Sequence, residues 1–192
     1  MMHPISAPRC LSDKAAHGPA TTELQASIDC LTSLLTVLHS LTSIAYKQPL
    51  PLCFDSTIGA HTRHILDHYN CLLEGIHDQS IDYENRHRNS QLEHCPKVAS
   101  ALLGAICDKL LMLADLRHTD PPIAVLNAIS VEEADSKAVA PTFSTLRREL
   151  RFLHSHTVHH LAIIRIMMGM LGLQVDNHTG LSPATLQHRQ RS

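Results

Sequence analysis

Apolar residues recur every three or four positions in four long stretches of the chain. This spacing places them on one side of an α-helix, so each stretch predicts an amphipathic helix. The stretches are residues 21–48, 56–76, 97–116 and 145–171. Because each helix has one apolar stripe to bury, the pattern predicts an all-α fold in which the four helices pack as a four-helix bundle.

Capping residues predict where two of these helices begin and one ends. Asp55 or Ser56 is expected to cap the second helix, and Thr142 or Ser144 the fourth, since short polar side chains accept hydrogen bonds from the first free backbone N–H groups. Gly172 follows the last apolar residue of the fourth helix. Glycine readily adopts the left-handed conformation that ends a helix, so we expect the helix to stop there.

The segments between and beyond these helices are less regular. Residues 77–96 are polar and aperiodic, which indicates a loop. Residues 123–141 indicate a short extended or hairpin connector before the last long helix, and the Ser-Pro pair at 182–183 indicates the start of a short helix. Residues 1–20 resemble a flexible N-terminal arm, so we expect a single helical domain over residues 21–192.

Composition and charge indicate a soluble globular protein. The 192 residues are 44% hydrophobic and 18% charged, with a formal net charge of −2. A nearly neutral chain offers no basic surface for nucleic acid, and without an apolar run of about 18 residues it is not expected to enter a membrane. The N-terminus lacks the apolar core of a signal peptide, and a transit peptide is the lesser alternative. We expect a cytoplasmic protein whose six scattered cysteines stay reduced.

Histidine is abundant and clustered in this chain, with 16 copies. Two groups of histidines have the spacing of about one turn that lets imidazoles on one helix chelate a metal ion. They lie on the second and fourth predicted helices and consist of His61, His64 and His68, and of His154, His156, His159 and His160. Two such groups favour one metal site built between two helices over isolated surface histidines.

The spacing within the groups indicates which histidines bind the metal. His156 and His160 are one turn apart and form the expected chelating pair. Any of His61, His64 and His68 can supply the third ligand, and we rank His64 first, His68 second and His61 last. Three neutral imidazoles leave a tetrahedral ion with one open position for water or a thiolate, so the site suits hydrolysis or thiol transfer. We expect zinc, with nickel and iron as alternatives, because imidazole binds all three.

Three nearby residues have roles that the spacing leaves open. His159 lies about 60° around the helix from the chelating pair and could orient a ligand by hydrogen bonding. Asp67 could do the same from the second helix, or it could be a polar surface residue. His154 lies about 160° around the helix from His156, so we expect it to be exposed.

The predicted loop after the second helix contains a further candidate for chemistry. Tyr83, Arg86 and Arg88 offer a phenol and two guanidinium groups, which suit the carboxylate or phosphate of an anionic substrate. The alternative is a solvated loop whose arginines pair with Asp82 and Glu84.

Three strings carry a family resemblance: STIGAHTRHILDHYNCLLEG, then IDYENRHRN, then LRRELRFLHSHTVHHLAIIRIMMGMLGL. Together they resemble the DinB-like (DinB/YfiT) superfamily of metal-dependent proteins, over about residues 24–190. The resemblance implies a four-helix bundle, often a homodimer, whose metal is held by one histidine of the second helix and an HxxxH pair of the fourth. Matched onto this chain, these ligands are His64, His156 and His160. The chain departs from the family at Ile163, where a glutamine is often found.

The resemblance also implies a class of function. Relatives in the superfamily include thiol-dependent S-transferases and a maleylpyruvate isomerase, while many members have no assigned activity. We therefore expect a divalent-metal enzyme that acts on a small molecule, a thiol among the candidates, by thiol transfer or hydrolysis-type chemistry. The alternative is a non-catalytic bundle that binds a metal or another ligand. We also expect a homodimer, because the first and fourth helices carry many apolar residues for a bundle of this size.

Overall fold

The computed structural model describes residues 19–113, 120, 122–128, 130, 132 and 140–191. Four long helices dominate it: α1 (Pro19–Ser40), α3 (Ile58–Gly75), α5 (Pro96–Met112) and α6 (Leu146–Met170). Three shorter helices accompany them: α2 (Ser43–Tyr46), α4 (Ser90–His94) and α7 (Pro183–Arg191). The prediction of a mostly helical protein is confirmed. No helix in these ranges is long and apolar enough to cross a membrane.

The first half of the chain has more helix ends than the sequence pattern predicts. The first predicted helix is divided in two, because the hydroxyl of Thr42 accepts a hydrogen bond from the backbone N–H of Ala45 and caps α2. α3 begins after both of its predicted caps, and Thr57 caps it. Asp55 has a φ of 56°, which places it in a left-handed turn, and Ser56 pairs with the preceding segment through a β-bridge. Neither is free to cap the helix.

The structure contains a small three-stranded sheet, which the all-α prediction did not include. Its strands are β1 (Ser80–Asp82), β2 (Pro122–Leu126) and β3 (Thr142–Thr145). β2 lies in the middle, parallel to β1 and antiparallel to β3, with Ile81 opposite Val125. Residues 123–126 of the predicted connector are therefore extended, while residues 129, 131 and 133–139 lie outside the described residues. The predicted loop at 77–96 contains both β1 and α4. A three-residue strand is too short to show an alternating pattern, and its partner is distant in sequence.

Both ends of α6 are closed by local hydrogen bonds. Thr145 caps its start, whereas the predicted caps, Thr142 and Ser144, lie in β3. Gly172 stands just beyond the C-terminal end with a φ of 69°, and the backbone N–H groups of Gly172 and Leu173 donate to carbonyl oxygens of the last turn. This is a Schellman motif, and it confirms the predicted C-terminal glycine.

The long helices pack around a shared apolar core. α1 contacts α5 and α6, and α3 also contacts α5 and α6. The largest fully buried side chains include Tyr46, Tyr69, Leu31, Leu34, Ile65, Leu66, Leu103 and Ile106. The contact between α3 and α6 matters most for function, because these two helices carry the two histidine groups.

Two predictions at the chain ends have different outcomes. Ser182 accepts a hydrogen bond from the backbone N–H of Thr185 at the start of α7, as the sequence indicates. The predicted arm, residues 1–20, lies outside the described residues except for Pro19 and Ala20, which begin α1. The five cysteines within the described ranges are free.

Candidate metal centre

α3 and α6 bring the two histidine groups into one cluster. The ring centroid of His64 lies 4.9 Å from that of His156 and 4.7 Å from that of His160. The rings of His156 and His160 are 4.5 Å apart. Imidazoles that are distant in sequence therefore share one site between two packed helices.

Three donor atoms close enough to share one metal ion belong to His64, His68 and His156, which we call the inner triad. Each offers one nitrogen, and these nitrogens all lie within 4.8 Å of one another. His160 lies beside the triad, with its Nδ1 atom 2.9 Å from Nδ1 of His61. The sequence ranks His68 below His64 as the α3 ligand, but the fold brings both of them next to His156.

Two atoms in the inner triad are prepared to bind a metal ion. Nδ1 of His68 lies 2.7 Å from the backbone carbonyl oxygen of His64. Because a carbonyl oxygen only accepts, Nδ1 carries the proton and the lone pair of Nε2 is left for a metal. Nε2 of His156 is buried and has no hydrogen-bond partner within the described part of the chain. An unsatisfied buried nitrogen costs about 1–3 kcal/mol, and a bound ion would remove that cost.

The imidazoles of the cluster are held in the neutral form that binds metals. Burial lowers the pKa of His64 to about 2, that of His160 to about 3 and that of His68 to about 4, and the neighbouring imidazoles add to the effect for all three. Burial also lowers the pKa of His156 and His61. A neutral imidazole keeps a free lone pair, so these side chains need not lose a proton when they bind an ion at neutral pH.

Aromatic side chains support two members of the inner triad. The ring of Tyr83 stacks on that of His68 at 5.5 Å, and the ring of Phe152 stacks on that of His156 at 5.6 Å. The Tyr83 hydroxyl donates to Glu149, whose side chain is fully buried. Neither Phe152 nor Glu149 is among the site residues predicted above, although both precede His156 at helical spacing on the same stripe of α6.

The predicted anion-binding residues of the loop differ in accessibility. Tyr83 is buried and its hydroxyl is engaged by Glu149. Arg86 is half-buried and donates from Nη1 to the carbonyl oxygen of Tyr83 at 2.5 Å. After burial and the neighbouring imidazoles, its charge also contributes to the lowered pKa of His64. Arg88 is exposed. Arg86 is therefore the guanidinium group that lies near the cluster.

The alternative interpretation, in which these arginines pair with Asp82 and Glu84, is not seen in the described part of the chain. The ion pairs found among residues of the described ranges include neither Arg86 nor Arg88. Asp82 accepts hydrogen bonds from the backbone N–H groups that follow it, and Glu84 accepts one from the backbone N–H of Ala128. Both carboxylates thus stabilise the loop backbone.

The remaining candidates lie at the margins of the cluster. Asp67 is buried, and its carboxylate lies 3.7 Å from the guanidinium group of Arg63, with which it forms an ion pair. His159 is exposed, next to His160. His154 was expected to be exposed but is half-buried, with Nδ1 3.4 Å from Sγ of Cys30, because α1 covers that side of α6.

Comparison with known proteins finds a similarity to a fungal protein. Over 108 residues, 56% of this chain, the sequence is 30% identical to a protein from Rhizopus delemar named FK506-binding protein 5. The chain spans 27% of the length of that protein. No family model matches the chain. No solved structure matches it either.

Proposed function

We propose that this protein binds one divalent transition-metal ion through the inner triad of His64, His68 and His156. The observation that carries the proposal is the buried Nε2 atom of His156, which has no hydrogen-bond partner among the described residues. His156 also belongs to the triad whose imidazole nitrogens, one from each residue, lie within 4.8 Å of one another. Neutral imidazoles without a carboxylate suit zinc, with nickel and iron as alternatives.

The choice of third ligand follows from the same geometry. The family resemblance implies His64, His156 and His160, whereas donor distances favour His68 in place of His160. The carbonyl of His64 fixes the orientation of the His68 ring, which lowers the entropy that the ring loses on binding an ion. His160 instead has a close nitrogen partner in His61.

We further propose that the protein is a metal-dependent enzyme acting on a small anionic molecule, by thiol transfer or hydrolysis-type chemistry. A divalent ion bound by three imidazoles supplies a Lewis acid with an open position. Arg86 would hold an anionic group of the substrate, since it lies near the cluster and makes no ion pair within the described ranges. The rings of Tyr83 and Phe152 stack on those of His68 and His156 and would keep them oriented. The alternative is a non-catalytic metal- or ligand-binding protein.

We also propose a DinB-like four-helix bundle that forms a homodimer. The contacts of α1 and α3 with both α5 and α6 support a four-helix bundle of the DinB-like kind.

Ile166 and Met170 are exposed on α6 and would suit a homodimer interface. Sedimentation would test the homodimer. A concentration-independent mass near the 21.2 kDa of one chain would contradict it. We also propose a cytoplasmic location.

Metal analysis of untagged protein would test the central proposal. We expect close to one ion per chain after dialysis, and a metal-free protein that no added ion can reload would contradict it. Substitution with Co²⁺ then separates the two functions. A small thiol or carboxylate that changes the visible spectrum of the bound Co²⁺ shows an open position and supports an enzyme. A spectrum that no such ligand alters supports the non-catalytic alternative.

A further inference from the structure

His61 and His160 form a second imidazole pair, here called the outer pair, beside the inner triad. Their Nδ1 atoms are 2.9 Å apart. Without a metal, one of these imidazoles donates a hydrogen bond to the other. Two nitrogens bound to one ion at about 2.1 Å are themselves about 3.0–3.4 Å apart. The separation in the outer pair therefore suits an ion held by both rings with little movement.

His68 is the one buried imidazole of the cluster, whereas His64 and His156 are half-buried like the outer pair. His61 and His160 are half-buried and lie beside the exposed His159, whereas His68 is only 5% exposed. An ion that arrives from solvent therefore meets half-buried imidazoles, those of the outer pair among them, before it meets His68.

Ring contacts connect the outer pair to the inner triad. The ring of His160 lies 4.7 Å from that of His64 and 4.5 Å from that of His156. The ring of His68 lies 4.4 Å from that of His64 and 4.6 Å from that of His156. His64 and His156 are thus shared neighbours, and they can stay bound to an ion while His160 is exchanged for His68.

We propose that His61 and His160 form an outer metal position through which a divalent ion reaches and leaves the inner triad. This inference rests on the proposed metal-binding function. The inner group consists of imidazoles alone, so no carboxylate in it offsets the repulsion between two divalent ions at such short range. An ion therefore occupies the outer position only transiently, and the protein holds one ion per chain at equilibrium.

Stopped-flow measurements with Co²⁺ and metal-free protein test the outer position. His61→Gln removes one imidazole of the pair, and His159→Gln is the matched control because it removes an exposed imidazole next to His160. We expect His61→Gln to slow both binding and release by the same factor, about tenfold, so that the dissociation constant is unchanged. We expect His159→Gln to leave both rates within about twofold of wild type. Circular dichroism would check that all three proteins have the same helix content.

Each contrary result has a distinct meaning. If His61→Gln binds and releases Co²⁺ at wild-type rates, the outer position is wrong while the inner triad stands. If the variant only releases Co²⁺ faster, His61 belongs to the resting site, and the proposal is again wrong. A wild-type protein that binds no Co²⁺ at all overturns the proposed function together with this inference.

Discussion

Tyr83 donates its phenolic hydrogen to Oε2 of Glu149 over 3.0 Å, at a place where both side chains are closed to solvent. This bond joins the residue that follows β1 to the first turns of α6. Glu149 also accepts a hydrogen bond from Ser144 of β3, so the small sheet is attached to the helix that carries His156 and His160. Because the Tyr83 ring stacks on His68, the same bond helps to fix a candidate ligand.

Tyr83→Phe should destabilise the protein while leaving its helices intact. The substitution keeps the aromatic ring but leaves Oε2 of the fully buried Glu149 without that donor, and a hydrogen bond to a charged group contributes about 1.5–3 kcal/mol. Tyr46→Phe is the comparison, because Tyr46 is equally buried but donates to the neutral carbonyl of Leu92. We expect the smaller loss there, about 0.5–1.5 kcal/mol. Urea unfolding measures both, and equal losses would contradict a charged Glu149.

Gly59→Ala should separate α3 from α4. A β-carbon at this position would overlap the backbone carbonyl of Glu93, and backbone atoms cannot move aside as a flexible side chain can. We expect a loss of about 2–3 kcal/mol in the free energy of unfolding. Gly104→Ala is the matched control in α5, since nothing lies within 4 Å of its β-carbon. It should raise stability by up to about 1 kcal/mol. A tolerated Gly59→Ala would show that the two helices are not in close contact.

Without metal, the protein should lose stability as the pH falls from about 6.5 toward 4. The cluster histidines have folded-state pKa values of about 2 for His64, about 3 for His160 and about 4 for His68, all below the value in an unfolded chain. Below that unfolded value, protons bind the unfolded chain first, which favours unfolding. Thermal unfolding across this pH range measures the effect. The double variant His64→Gln, His68→Gln should flatten the profile, and an equally steep profile would place the titrating groups elsewhere.

Zinc should stabilise the fold by mass action. If the native protein alone binds the ion, a free zinc concentration one hundred times the dissociation constant adds about 2.7 kcal/mol. The melting temperature should rise with zinc and return to its metal-free value after chelation. Because the long helices pack on a core of buried apolar side chains, we expect the metal-free protein to remain helical. Loss of helicity on chelation would show instead that the metal is needed for folding.

The long helices could be predicted from sequence because each buries one stripe of apolar residues over many turns. β1 could not, since three residues show no period and the strand exists only through its pairing with β2. Helix caps depend on the same context. Asp55 has the chemistry of a cap but is in a left-handed turn, so Thr57 caps α3 instead.

The candidate site was predictable as a cluster but not in its details. Helical spacing alone places His64 and His68 on one face of α3, and His156 and His160 on one face of α6. It does not give the rotation of one helix against the other, and that rotation decides whether His68 or His160 lies nearest the other two. The hydrogen bond from Tyr83 to Glu149 could not be predicted either, because a contact between a loop and a distant helix leaves no local pattern in the sequence.

Equilibrium binding of zinc to wild-type protein, His156→Gln and His154→Gln, measured by calorimetry, tests the central claim most directly. His154 is the matched control, since it is half-buried on the same helix but lies against α1. The inner triad predicts one zinc site in the wild type, an affinity reduced about a hundredfold or more in His156→Gln, and wild-type affinity in His154→Gln. Equal zinc affinity in the two variants would contradict a metal site at the buried nitrogen of His156.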